Sequence, residues 1–457
     1  MSRLHMLLGC LALPASLALA QDAASPLSQA QEIEKARAAL DVLATSHTRL
    51  DAHLLEPVAD LANRLLQQGE YDEAHVLLDQ AAQISRVVDG LYTMNQVPFL
   101  MSKAGNYANR NDWFHAEEQL DHLYWLLSRE ENIVDDDLIA NLLQLTDLHL
   151  RGIAEDIVAN QAHHFRAAVG PNRLALGVAQ RYWGENDPRL APILYKLVQQ
   201  YYLQSKAVEI GGRTSSALRT YTGTGLSKTR AESRMNNYYL GQILLLQIRD
   251  LFGNQPEPDI EGMALAELYL ADWEVLFSNV EPALAAYERS FAGLQQAGIG
   301  TAELNTYFDA PVLLPAHQFY PTWSALVAAN EPQTGAGDPS TVDAIVLRFQ
   351  QRSPNLPFAN SAPTGVALGE PDPDTTAAIF SFQLPGLEQI KLWNRGRLRT
   401  LVGTATNLRL LHRALPASLD AEALREEVLE MRFRPKLIDG IPQPVNATLR
   451  YELASSN

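Results

Sequence analysis

One stretch of this 457-residue chain concentrates side chains suited to binding. Residues 196–235 hold Lys196, Lys206, Arg213, Arg219, Lys228, Arg230 and Arg234 against only Glu209 and Glu232. Seven of the sixteen tyrosines fall between Tyr182 and Tyr239. Tyrosine and arginine are favoured at binding hot spots because each offers a broad flat surface with a polar end. Tyr201, Tyr202, Arg213, Arg219, Tyr221, Arg234, Tyr238 and Tyr239 are therefore candidate contacts for an anionic partner. The alternative is that the tyrosines fill gaps between irregular helices while the cations stay solvated. Within the same stretch, Ser227-Lys228-Thr229 invites comparison with a phosphate-binding loop. That loop needs glycine at 222 and 227 so that backbone N–H groups can cradle phosphates, and Thr222 and Ser227 stand there instead.

Other chemical groupings fail on spacing. His115, Glu118 and His122 share a helix face but lack the paired histidines four apart, and the third ligand, of a zinc hydrolase. His163 and His164 are adjacent, so on a helix they point to different faces and read as surface histidines. Asp135-Asp136-Asp137 has neither the alternate spacing nor the glycine of a calcium loop and reads as a helix start. The nucleophile elbow Gly-x-Ser-x-Gly does not occur. Cys10 is the only cysteine. These observations predict a non-catalytic protein with no cofactor and no metal.

The amino terminus reads as a leader of residues 1–20. Arg3 supplies the positive start, Leu7 to Leu19 the apolar run, and Ala18-Leu19-Ala20 a small-x-small cleavage site before Gln21. An uncleaved anchor and lipidation at Cys10 are the alternatives. Removal of the leader takes Cys10 with it, and a disulfide-free exported chain suits a bacterial periplasm. The formal charge of −17 is unevenly spread. Residues 376–457 hold 11 Lys/Arg and 8 Asp/Glu, a net +3, which leaves −20 for residues 1–375. So acidic a body repels nucleic acid and anionic lipid over most of its surface.

The elements that must position these residues are helical hairpins. Val58, Leu61, Ala62 and Leu65 lie at the spacing of one helix face, the turn Gly69-Glu70-Tyr71 follows, and Ala74, Leu77, Leu78 and Ala81 mark a second helix. Forty-two residues later Leu100, Ala104 and Tyr107, the turn Asn111-Asp112-Trp113, and Ala116, Leu120 and Leu123 repeat the pattern. A lead-in helix over 29–50 caps the array. Thr93 and Gln96 predict a capping box, with Tyr92 stapled to Val97. A degenerate third hairpin spans 138–168, further helices begin after Pro188 and at Thr229, and a last hairpin carries Ala271, Ala283 and Tyr287. Small residues at Ala62, Ala74, Ala104 and Ala116, with Leu78 and Leu120, resemble the tetratricopeptide repeat (TPR), although the period exceeds the usual ~34 residues. Gly90 to Pro98 and Leu123 to Leu126 are similar to segments of exported bacterial TPR proteins. The resemblance implies an α-helical solenoid over residues 51–299, behind a capping segment at 21–50.

Residues 300–375 hold ten of the 25 prolines and predict a linker or irregular docking segment, with one strand near 341–350. Beyond it the period becomes two. Ala378, Phe380, Phe382 and Leu384 alternate with polar or outward residues, and so do Val445, Ala447, Leu449, Tyr451 and Leu453. A helix bearing Ala421, Leu424, Val428 and Met431, the exit Arg432-Phe433-Arg434-Pro435 and the Asp439-Gly440 turn lie between them. This order resembles the carboxy-terminal domain of TonB-type energy transducers and implies a small α+β domain over 376–457. In that fold a late strand offers its edge to a partner. The strand from Val445 is expected to do so here, with Thr448 and Arg450 as contacts. The expectation is a mainly α, periplasmic scaffold that binds a protein or peptide of the cell envelope. A glycan- or solute-binding module, or an accessory to TonB-type transport, is the alternative. No nucleic acid, and no membrane span after leader removal, is expected.

Overall fold

A computed structural model describes residues 26–129, 135–156, 160–210, 230–329, 345–351, 377–394, 397–414 and 421–453. The leader, Cys10, Arg213, Arg219 and Tyr221 lie outside the described residues. The chain is mainly helical, with a small strand-containing region toward its carboxy terminus. It divides into two compact units, Met1–Leu145 with Gly177–Tyr182, and Thr146–Leu176 with Trp183–Asn457.

In the first unit α1 (Pro26–Ala44) leads to α2 (Leu55–Gln68) and α3 (Tyr71–Val88), then α4 (Val97–Asn109) and α5 (Trp113–Arg129). The apolar stripe of α2, Val58, Leu61, Ala62 and Leu65, is wholly buried. Ile33 of α1 packs with Leu61, Leu65 and Ala74. Gly69 ends α2 at φ 82°, and Glu70 N–H returns to the Leu65 carbonyl at 3.0 Å. Forty-two residues later Asn111 adopts φ 58°, and Asp112 N–H returns to the Tyr107 carbonyl at 2.9 Å. The same six-residue closure therefore turns both hairpins, using a residue tolerant of positive φ each time. Ala62, Ala74, Ala104 and Ala116 are all buried, as close helix approach requires.

Two local expectations fail here. Thr93 caps nothing through its side chain. Gln96 is buried instead, donating to the Gly90 carbonyl at 2.8 Å and accepting from Arg86 Nε at 3.1 Å. Tyr92 does not staple to Val97 but is exposed, edge-on to Trp125 at 5.3 Å. The helix α6 (Asp136–Glu155) starts with Asp135 accepting from Leu138 N–H at 2.7 Å, as its acidic run predicts. The next helix, α7 (Gln161–Trp183), continues past the predicted end at residue 168 and through Pro171. The buried Ala168, Ala175, Val178 and Ala179 offset the lost backbone hydrogen bond.

The second unit contains α8 (Ala191–Ile210), α9 (Arg230–Gly253), α10 (Ile260–Phe277) and α11 (Val280–Gln296). Ser278 takes φ 66° between α10 and α11, and Asn279 N–H returns to the Glu274 carbonyl at 2.9 Å. This is the closure seen at Gly69 and Asn111. Ala271, Ala283 and Tyr287 are buried around it.

The proline-rich stretch is not irregular throughout. It holds α12 (Thr301–Tyr307), β1 (Val312–Leu314), α13 (Trp323–Ala329) and β2 (Ile345–Gln351). Its backbone acceptors find donors on the helices beneath. Tyr195 Oη and Gln199 Nε2 donate to the Ala316 carbonyl at 3.1 and 2.9 Å, and Tyr269 Oη donates to Gln318 at 2.8 Å. Phe319 is buried against Tyr269 and Phe252, worth about 1.5–3 kcal/mol.

The remaining strands are β3 (Ala377–Leu384), β4 (Ile390–Asn394), β5 (Arg397–Leu401), β6 (Thr406–Ala414), β7 (Arg432–Arg434), β8 (Lys436–Ile438), β9 (Ile441–Gln443) and β10 (Val445–Leu453), with α14 (Ala421–Glu430). The main sheet runs β2-β10-β3-β6. The inward residues Ala378, Phe380, Phe382, Ala447 and Leu449 pack on Leu424 and Val428 of α14. Asp439 at φ 51° and Gly440 at φ 79° form the tight turn between β8 and β9.

One expectation is overturned. The strand carrying Thr448 and Arg450 is no edge: β10 pairs parallel with β2 on one side and antiparallel with β3 on the other. Thr448 is buried. Both sides of the β10 backbone are used within the sheet, so none is left for a partner strand.

The sheet region is built onto α10 by a buried ion pair. Arg434 of β7 donates from Nε to Asp272 Oδ1 at 2.9 Å and from Nη2 to Oδ2 at 2.5 Å, and Tyr287 Oη donates to the same Oδ1 at 2.9 Å. Beside it β7 pairs with β1, and Leu437 N–H donates to the Phe308 carbonyl at 2.9 Å.

Candidate functional site

A groove of about 1210 Å³ lies within the second unit. The first turns of α9 supply Arg234, Met235, Tyr238 and Tyr239, spaced to share one helix face. Its floor is the α10–α11 turn, with Phe277, Ser278, Asn279 and Pro282. The far wall is the loop after β3, with Pro385, Leu387 and Glu388, together with Ile441, Pro442 and Pro444.

The helix wall is held closely. A Cβ on Gly241 of α9 would lie 2.1 Å from Trp273 Cζ2, so only glycine allows this approach to α10. Trp273 Nε1 donates to the Tyr238 carbonyl at 3.1 Å across the contact. Beneath the groove, buried Glu274 gathers three donors: Tyr238 Oη at 2.9 Å, Gln242 Nε2 at 3.1 Å and Asn279 Nδ2 at 2.7 Å. Burial raises the Glu274 carboxyl, and the donors partly oppose that rise. Burial first, and the Glu274 charge second, push the Tyr238 phenol upward, so it stays a neutral donor. Arg234 donates to the Phe277 carbonyl at 3.1 Å and sits 4.9 Å from the centre of its ring. Tyr239 and Met235 are each about half exposed and offer contact area to whatever enters.

Of the residues singled out in the sequence, Arg234, Tyr238 and Tyr239 come together in this groove. Tyr202 does not: it is buried at 2 % exposure against Trp273 and Phe277, and is a core residue. Tyr201 on α8 is half-buried and does not line the groove. Thr448 lies inside the sheet, and Arg450 occupies a central-strand position. The far wall was missed by sequence reasoning. Pro442 and Pro444 stand between the Asp439-Gly440 turn and the strand from Val445, and nothing in the local sequence links them to α9.

Among the histidines, His164 departs from expectation. His115 lies 2.7 Å from Asp112, and His122 stacks on Trp125 at 5.8 Å. His164 is fully buried rather than on the surface, with Nε2 3.0 Å from Asp156 and Nδ1 3.4 Å from His149 Nδ1. A Cβ at Gly152 would lie 2.6 Å from the His164 ring, so that glycine makes room for it. Burial, and then the neighbouring His164 and His163, push His149 down to about 3. His47, Asp51 and His53 hold potential ligand atoms within 4.8 Å of one another. Asp51 is already engaged there, accepting from His53 N–H at 2.9 Å and lying 3.2 Å from His47 Nδ1.

No helix among the described residues is long and apolar enough to cross a membrane. No protein-family model and no curated protein sequence matches the chain. Among solved structures it is similar to BtubC (BKLC) from P. vanneervenii, at 15% identity and a TM-score of 0.36, over 60% of this chain and 90% of that one. A likeness at that score carries no argument about fold or function.

Proposed function

We propose that this protein is a non-catalytic scaffold or adaptor that holds an extended segment of a partner protein in the groove beside α9. The observation that carries the reading is the lining. Tyr239, Met235 and Phe277 face Pro282, Pro385, Pro442 and Pro444, and prolines add apolar rungs without leaving backbone donors unpaired. Grooves walled by aromatic and proline side chains suit extended, proline-rich peptides, which lose little entropy on binding.

The wider setting follows the sequence. The repeated turn closures and buried alanines support a TPR-type solenoid, and the strand–helix order after residue 376 supports a TonB-like carboxy-terminal region. The leader favours the periplasm, and with it a cell-envelope partner. Selection from a random peptide library on the immobilised chain tests the groove. Enriched peptides should be extended, should compete with one another, and should bind Tyr239→Ala at least about tenfold more weakly. Peptides that bind Tyr239→Ala and Met235→Asp as well as the parent chain would place recognition elsewhere.

A glycan-binding reading rests on a different observation. Trp125 and Tyr92 are exposed, 5.3 Å apart, with the Arg129 guanidinium 4.6 Å from the Trp125 ring. The exposed edges of this aromatic cluster can pack against a sugar ring. Quenching of tryptophan emission by oligosaccharides that disappears in Trp125→Ala would favour it over the peptide groove.

A further inference from the structure

The hairpin β4–β5 stands apart from the main sheet as a two-stranded ribbon. Its cross-strand pairs sort by face. Leu392 with Arg399 turns inward: Leu392 packs on the sheet core, and Arg399 pairs with buried Glu430 at 2.6 Å. Trp393 pairs with Leu398, and Lys391 with Thr400, on the outward face. Burial falls along the ribbon. Leu401 at its base is buried, whereas Trp393 and Leu398, one pair from its far end, are 70% and 61% exposed. A tryptophan left that open on a well-paired strand is unusual, because it forgoes the largest apolar burial any side chain can make.

The sequence of this stretch is equally lopsided in charge. Residues 390–414 hold six Lys/Arg and no Asp or Glu, in a chain whose net charge is −17. Arg409 on β6 is exposed, as is Leu411. Tryptophan with leucine on one exposed face, beside the outward Lys391, is a combination that settles at a lipid–water boundary. The indole and leucine enter the headgroup layer while the ammonium and guanidinium groups meet anionic headgroups. A peptide partner would instead call for a groove to receive it, and these two side chains stand on an exposed face of the ribbon. We infer that the β4–β5 hairpin docks the protein on an anionic lipid surface, with Trp393 and Leu398 as the inserted pair and Lys391 as a headgroup contact.

Co-sedimentation of the full chain with vesicles tests this. Phosphatidylglycerol–phosphatidylcholine vesicles should carry the protein down, pure phosphatidylcholine vesicles should do so far less, and added salt should weaken the association. Trp393→Ala with Leu398→Ser should reduce binding at least about tenfold, and Lys391→Gln about fivefold. Trp393→Phe should retain most of it, and unchanged melting curves should show that all variants are folded. Residues 1–20 are present in every variant, so any lipid affinity of their apolar run is common to all. The inference is overturned if the double variant sediments like the parent. It is overturned equally if soluble polyglutamate binds with the same strength and the same dependence on Trp393, which would mark a polyanion site rather than a membrane one.

Discussion

The α2–α3 hairpin and the junction between α10 and β7 are held together in opposite ways. In the hairpin, small apolar side chains at Ala62 and Ala74 let backbones close, and a left-handed Gly69 turns the chain between α2 and α3. At the junction, Asp272 and Arg434, 162 residues apart, meet as a buried ion pair with Tyr287 as a third member. The hairpin tolerates local variation, since Asn111 and Ser278 repeat its turn without glycine. The junction tolerates little, because removing either partner strands a charge in the interior. The sheet region is thus seated rigidly on α10, and the groove between α9 and Pro442 depends on that seat.

The strongest way to break the comparison is Asp272→Ala. It should cost about 3–5 kcal/mol in chemical denaturation by leaving Arg434 buried and unpaired, and Asp272→Leu with Arg434→Leu should recover much of that. A loss below about 1 kcal/mol would mean the junction is held by its apolar surround.

Acid should also act on the second unit. His149 is depressed to about 3 from an ordinary 6.5, so the unfolded chain takes up its proton first as pH falls. Its contribution is intact above pH ~6.5 and is lost progressively from there toward pH 3, to an upper bound on the order of 5 kcal/mol. Unfolding midpoints measured between pH 7 and 4 should fall, and His149→Gln should flatten that slope.

Thr448→Pro asks whether the sheet is as closed as the pairing indicates. Proline would remove a ladder donor from a strand paired on both sides, at a cost on the order of 3 kcal/mol. Retained sheet stability by circular dichroism would return β10 to an edge.

In the hairpins, Ala116→Leu should cost about 1–3 kcal/mol by overpacking, whereas exposed Glu118→Ala stays near neutral. The smallest effect sharpens the comparison. Ser278→Gly should raise stability by up to about 1 kcal/mol, because glycine adopts φ 66° without the penalty a Cβ carries. A Ser278→Gly loss would show that the side chain, not the backbone, holds that turn.

The hairpins were legible in the sequence because each is specified by residues within one turn of their partners. Helix-period stripes, alanines at fixed offsets and a residue tolerant of positive φ are local statements, and so is the alternation of β3 and β10. What lay beyond reach was long-range. The alternation at Val445–Leu453 says one face is buried, but which strands flank it is decided by β2, about a hundred residues earlier. Half the groove was visible as the tyrosine-rich start of α9. Its other wall comes from prolines roughly 150 to 200 residues later in the chain, which no periodicity connects to Tyr239. Tyr202 shows the same limit: composition marks it as a contact residue, but only the packing of Trp273 and Phe277 over it makes it core. The sequence by itself determined the elements, because their causes are local sterics and burial period. Tertiary structure alone decided which elements meet, because pairings such as Asp272 with Arg434 stabilise only once the chain between them has folded.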